Sequence, residues 1–581
     1  MPTVATDTLP PIDSSRRAFL ASVSMLAAAS QASLAADQTI DTPQENDEPT
    51  AGGAITAETI EHAQRLTGIT FTRSEREAIA QGIAFQMASI TARQGGPPLP
   101  NGLFPATTFN PVVAGHVNVP ATQHTTDDRQ FDPGMLPDPV DIAFASVRHL
   151  SHWLRRGDVT STKLTSIYLD RLERYGDALS CVITVTPDLA MAQAAQADRD
   201  FAKGHIRSPL QGIPWGAKDL LDTRGIATTW GATPYRDRIP QTDAAVVQRL
   251  KSAGAVLVAK LTLGALAYGD IWFGGTTKNP FDVSEGSSGS SAGPAAATSA
   301  GLVGFSIGSE TCGSIVSPCM RCGAAGLRPT FGRIPRDGAM ALCWSLDKLG
   351  PICRSVDGTG MVLEVINGRY GGGDPCNVQR EFASGNGESP RGLRVGFDPA
   401  WFHGEGASDG DRAALSAVKA LGCETHEISL PSWPYESLFT ILMAEAAAAF
   451  ESLTRENHDD EMVWQEPQAW PNSFRSSWFL PAVEYVQAQR FRRQCMEMMA
   501  REMSSIDAML APGYAGNLLI LTNATGHPSL TFRSGFKKNG SPLGTTLIGR
   551  LFDEGTLLRI GRGLERTLAV ADVRPAMATA R

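Results

Sequence analysis

The chain has 581 residues, 42% of them hydrophobic and 19% charged, which points to a globular protein with a sizeable core and excludes wholesale disorder. A net charge of −9 with no long basic run argues against a nucleic-acid-binding surface, which needs clustered Lys and Arg. Nine cysteines, an odd number at irregular spacing, exclude a disulfide framework.

The first feature in chain order is an address. Ser15-Arg16-Arg17-Ala18-Phe19-Leu20 precedes a weakly apolar, Ala-rich run to Ala36 that is too short and too polar to span a bilayer stably. Paired arginines before such a run read as a twin-arginine export signal over residues 1–36, so the expected location is periplasmic or secreted. Residues 37–138 then read as a polar leader, a helical segment and a Pro/Gly-rich connector. Ile60, Ala63, Leu66, Ile69, Ala78, Ile79, Ile83 and Met87 recur at helical spacing, and Thr72-Arg73-Ser74-Glu75 suits a second helix start.

The main domain is expected over residues 139–573, with a short tail at 574–581. Ile142 to Leu154 and Thr162 to Tyr175 read as two amphipathic helices. Val182-Ile183-Thr184-Val185 and Ala255-Val256-Leu257-Val258 read as strands alternating with helical stretches, which predicts an α/β fold: a large mixed β-sheet covered by helices on both faces, with an N-terminal helical extension. Residues 440–500, around Trp464, Trp470 and Trp478, form a helical, aromatic insertion. Those tryptophans suit either a cover over an apolar substrate or plain core packing. Leu518-Leu519-Ile520-Leu521 looks strand-like, and a helix from about Asp553 to Ala571 closes the domain.

Chemistry concentrates between Gly286 and Arg333, where two Gly/Ser clusters flank an Ala-rich stretch and the apolar Leu302-Val303-Gly304-Phe305. Glycine lets a ligand approach the main chain, so two such clusters suggest two loops facing one site. No Lys-Ser or Lys-Thr follows the glycines as in a phosphate loop, and no GxSxG elbow or His partner for a serine triad is evident. A serine can be activated without histidine by a lysine held neutral through burial. Lys218, in Gly212-Ile213-Pro214-Trp215-Gly216-Ala217-Lys218-Asp219, is one candidate; Lys260, in Val258-Ala259-Lys260-Leu261, is another. A lone lysine in such a stretch is ordinarily a snorkelling surface residue. Cys319 and Cys322 form one CxxC with no second pair or spaced His, and read as structural thiols rather than a zinc site. No cofactor or metal is called for.

These segments resemble the amidase signature family. Gly212 to Asp219 is similar to the family's lysine motif, Lys278-Asn279-Pro280-Phe281-Asp282 and the Gly/Ser run after it to its first serine loop, and Gly308-Ser309-Glu310-Thr311-Cys312-Gly313-Ser314-Ile315 to its second. Leu521 to Pro528 and Leu547 to Glu554 resemble its closing segments, so the likeness spans roughly 141 to 573. The family's two catalytic serines lie 24 residues apart, the separation of Ser290 and Ser314, which selects Ser290 over Ser287, Ser288 and Ser291.

The resemblance implies an amidase without cofactor. Ser314 is its nucleophile, Ser290 (on a cis peptide bond) its proton relay and Lys218 its base, and the backbone N–H groups of Thr311, Cys312, Gly313 and Ser314 form the oxyanion hole. Cys312 stands where the family usually has Gly, and Val316 where many members have Arg; Ala292 and Pro294 also depart from the first loop. The implied partner is a small-molecule amide, with no nucleic acid and no stable membrane insertion; a homodimer is left open. The alternative is the glutaminase component of a tRNA-dependent amidotransferase, which the export signal disfavours.

Overall fold

The computed structural model describes residues 55–96, 99–113, 131–369, 371–385, 388–403, 407–513 and 515–578. The expected export signal at 1–36 lies outside these residues.

Two helices, Ala57–Thr67 and Arg73–Gln94, come first. The second begins as its sequence suggests: Thr72 accepts from the Glu75 amide while the Glu75 carboxylate accepts from the Thr72 amide, a reciprocal cap. In place of the single amphipathic helix expected from Ile142 to Leu154 there are two, Pro139–Phe144 and Val147–Arg156. The side chain of Ser146 accepts from the His149 amide at 3.3 Å and starts the second, so a local cap overrides the continuous apolar spacing. A longer helix, Ser161–Leu179, follows.

The strands are β1 (Val182–Val185), β2 (Pro214–Lys218) and β3 (Val256–Leu261), then two small ribbons of β4 (Ile271–Trp272) with β5 (Gly275–Thr276) and β6 (Lys278–Asn279) with β7 (Asp282–Gly286). After these come β8 (Phe305–Glu310), β9 (Ala325–Arg328), β10 (Lys348–Cys353), β11 (Arg394–Phe397), β12 (Glu424–Glu427), β13 (Ala508–Pro512), β14 (Ser529–Phe536) and β15 (Pro542–Gly549). Eleven of them form one sheet in the order β1-β3-β2-β8-β10-β9-β14-β15-β13-β11-β12. It is mixed: β2 runs parallel to β3 and β8, while β10 runs antiparallel to β8. All residues of β2, β3 and β8 are buried, as expected for central strands covered on both faces.

The strand-like run Leu518 to Leu521 is instead the start of a helix, Leu518–Ala524, and the strand of that region is β13. A short, largely buried apolar run has no periodicity to separate the two states, and here the tertiary setting decides. The 440–500 insertion is helical, with Phe439–Ala449, Trp470–Ser477 and Ala482–Ser505 as its main elements. Its tryptophans divide. Trp470 is buried and donates to Leu266 O at 3.0 Å, Trp464 packs on Tyr268, and Trp478 is exposed.

Small residues bring the serine loops against the sheet. The helix Ala292–Ser299 is buried along its whole length, and a Cβ on Gly293 would come within 2.5 Å of the Thr262 amide nitrogen.

Candidate active site

Lys218 ends β2, and the loops after β7 and β8 carry the two serine clusters to the same place. Its side chain is fully buried, and Nζ lies 2.8 Å from Ser290 Oγ, 2.9 Å from Ser309 Oγ and 3.1 Å from Ser291 Oγ. No carboxylate is among these partners. Burial pushes the amine well below the usual lysine range, and the more distant Asp347 and Glu310 offset this only in part. An amine held neutral among hydroxyls is equipped to accept a proton.

Lys260, the competing candidate, is built differently. It is also fully buried, but Nζ forms an ion pair with Asp219 Oδ1 at 3.0 Å and donates to Leu221 O and Thr228 Oγ1 at 2.9 and 2.7 Å. Burial lowers this lysine too, but Asp219 opposes the shift, and all of its contacts are to acceptors that hold it in place. Neither lysine snorkels to the surface.

The Gly289–Ser290 peptide bond is cis. Gly289 is required for room: a Cβ there would lie 1.8 Å from Gly269 O. Of the other serines in this loop, Ser287 donates to Ser288 O, and Ser288 Oγ lies 2.7 Å from Ser317 Oγ, so neither is directed at the lysine. Ser291 does reach it, and its amide donates to Ser314 O at 3.0 Å, which ties the first loop to the second.

Ser314 sits just after the tight bend at Gly313, whose φ of +95° is in the region that favours glycine. Among the described residues, the amides of Thr311, Cys312, Gly313 and Ser314 find no acceptor, whereas those of Ile315 and Val316 donate to Glu310 Oε2 at 2.8 and 3.0 Å. Thr311 is held from its side chain, which donates to Asp347 Oδ1 at 2.6 Å. Cys312 is half-buried, and burial with nearby Glu310 raises its thiol to about 12, so it is not an ionised nucleophile.

Val316, where many members of the resembled family have arginine, is buried. Glu310 takes its cation from elsewhere: Arg328 Nη1 lies 2.6 Å from Oε1, and Asn523 Nδ2 donates to the same oxygen at 2.9 Å.

A model of the family described as "Amidase" matches residues 163–558. The chain belongs to the amidase family. Among its relatives in that family, a glutamyl-tRNA(Gln) amidotransferase component from Geobacter sp. (strain M21), the one designated A, is 31% identical over 477 residues, covering 74% of this chain and 98% of the relative. The corresponding component from Methylococcus capsulatus is 32% identical over 71% of this chain and 95% of its own length. The solved peptide amidase of Stenotrophomonas maltophilia superposes with a TM-score of 0.67 at 27% identity, covering 76% of this chain and all of that one. The chain is thus an amidase-family hydrolase acting on C–N bonds, with that family's mixed sheet. Among the described residues no helix is long and apolar enough to cross a membrane.

Sequence reasoning overlooked Ser309 and Glu310. Both lie inside a motif already singled out, but nothing in one dimension says that Ser309 faces Lys218. That follows from the parallel pairing of β2 with β8, in which Ala217 is opposite Ile307, so that Lys218 at the end of β2 comes beside Gly308 and Ser309.

Proposed function

We propose that this protein hydrolyses small carboxylic amides, with Ser314 as nucleophile, Ser290 as proton relay and Lys218 as base, outside the cytoplasm. The observation that carries this reading is the fully buried Lys218, 2.8 Å from Ser290 and surrounded by hydroxyls rather than carboxylates. Ser291 gives its own proton to Ser309 O at 3.0 Å and therefore accepts from the lysine. With N–H bonds directed to Ser291 and Ser309, the lysine lone pair is left for the Ser290 proton. Ser290 in turn takes the proton of Ser314 as Ser314 Oγ attacks the amide carbon. The amides of Thr311, Cys312, Gly313 and Ser314 stabilise the oxyanion, a kind of contact whose loss costs about 2.7–4 kcal/mol of barrier per donor. The proton returns along the same path to the leaving amine, the acyl group stays on Ser314, and water releases it.

The second reading is the glutaminase component of a tRNA-dependent amidotransferase, supported by amidotransferase relatives at 31–32% identity. The two readings separate on autonomy. The amidase should take a fluorophosphonate adduct on Ser314 and cleave amides by itself; the amidotransferase component should release ammonia from glutamine only with its partner proteins. A panel of anilides, primary amides, esters and carbamates tests the first. Absence of both the adduct and turnover in folded protein would overturn it.

A further inference from the structure

Residues 99–113 precede the region matched by the family, yet Gly102 and Phe104 among them line a cavity beside the second serine loop. Three side chains pin them. Asn101 accepts from the Ala341 amide and donates to the Ala341 carbonyl, each at 2.8 Å, while its own main-chain carbonyl accepts from Trp344 Nε1 at 3.2 Å. The ring of Phe104 lies 4.9 Å from the Arg336 guanidinium carbon. Phe109 lies 3.3 Å from that of Arg492 and packs edge-on against Phe331. Arg336 is itself immobilised by two bonds to Asp374, at 2.8 and 2.9 Å, and one to Trp344 O at 2.6 Å. Phe104 therefore rests on a fixed plate.

Beneath this segment is a cavity of about 120 Å³. Phe104, Met340, Leu342 and Leu349 give it an apolar side, the charged Arg336, Asp337 and Asp347 also line it, and so do Ser309, a partner of Lys218, and Thr311. An apolar cavity of about 150 Å³ accommodates benzene, so this smaller one admits at most a single ring. We infer that Phe104 is a specificity-determining residue: it closes this cavity so that it accepts amides with a compact apolar substituent no larger than a benzene ring. The inference rests on the amidase reading for the reaction, while the wall itself is defined by the cavity. Because Asn101 is bonded to Ala341, between the lining residues Met340 and Leu342, the segment and the opposing wall are held as one unit.

The test uses the full chain and two opposed variants. Calorimetric titration with benzamide is expected to show binding to wild type and at least tenfold weaker binding to Phe104→Trp, in which the larger ring occupies the cavity. In Phe104→Ala the ratio of kcat/KM for 2-naphthamide over benzamide is expected to rise at least tenfold. Wild type that binds no benzamide overturns the inference. So does an unchanged benzamide affinity in Phe104→Trp together with an unchanged ratio in Phe104→Ala, both variants having native circular dichroism. If Phe104→Trp abolishes binding but wild type turns over no amide and takes no adduct on Ser314, the amidase reading fails and Phe104 stands as the wall of a binding site.

Discussion

Glu310 and Arg328 form an ion pair of 2.6 Å with both side chains out of solvent, and the second carboxylate oxygen of Glu310 holds the amides of Ile315 and Val316, directly after Ser314. One buried anion thus links the end of β8 and the end of β9 to the loop that carries the proposed nucleophile.

Removing that anion should be costly. Glu310→Gln leaves Arg328 charged and unpaired in the interior, where a broken pair destabilises by roughly 3–5 kcal/mol. A shifted denaturation midpoint measures this. Arg328 and the Val316 amide outweigh burial and hold the Glu310 carboxyl down at about 2. A folded-state value below the unfolded one gives stability that is complete above the unfolded carboxylate range, about 4.3, and is lost as pH falls towards 2. Thermal melts between these pH values should fall more steeply for wild type than for Glu310→Gln.

The two buried lysines should separate cleanly. Lys218→Ala removes the proposed base, and turnover should fall by roughly 10²–10⁴-fold with the fold retained. Lys260→Ala strands Asp219 without its cation and should act on stability, by about 3–5 kcal/mol. Because burial lowers Lys218, the active neutral amine persists well below the ordinary lysine range; kcat/KM should drop on the acid side as the amine protonates. Equal chemical loss in both variants, with intact folding, would reverse the choice of base.

Within the second serine loop the main chain, not the side chain, is expected to matter. Cys312→Gly should keep turnover within about tenfold, since the proposed oxyanion contact is an amide. Gly313→Ala should lose roughly 10²–10³-fold, because φ is +95° and the added Cβ would lie 2.9 Å from Leu519 Cδ2. Steady-state kinetics on one amide compares them.

Lys348 lies opposite Glu310 in the β8–β10 pairing, is buried, and its Nζ makes no hydrogen bond among the described residues. Burial first, and Arg328 second, lower it to about 7. The unfolded chain keeps that proton up to about pH 10.4, so wild-type stability should rise with pH from about 7 towards 10. Lys348→Met should lack this rise and gain about 1–3 kcal/mol near neutrality by removing an unsatisfied buried group. Melting temperatures across that pH range check both.

The proton path proposed from Ser314 to Lys218 has no step that uses a metal. Turnover should be unchanged after dialysis against EDTA, and a loss restored by divalent metal would refute the path.

Much of the site was legible in one dimension because its chemistry is local. Two Gly/Ser clusters, their 24-residue separation and the lysine motif are properties of contiguous segments, as is the cap at Thr72. The alternation of β-branched runs with helical spacing likewise announced a layered α/β sheet. By itself, then, the sequence determined the family, the identity of Ser290, Ser314 and Lys218 as candidates, and the general architecture. Tertiary structure decided everything that depends on what lies across the sheet. It separated Lys218 from Lys260 by the carboxylate beside the latter, and it supplied Ser309 through strand register. It also turned Leu518 to Leu521 into a helix and brought Phe104 into the wall of the cavity that Ser309 and Thr311 line. The physical reason is the same in each case: burial, charge pairing and packing are set by neighbours far away in the chain, which local spacing does not record.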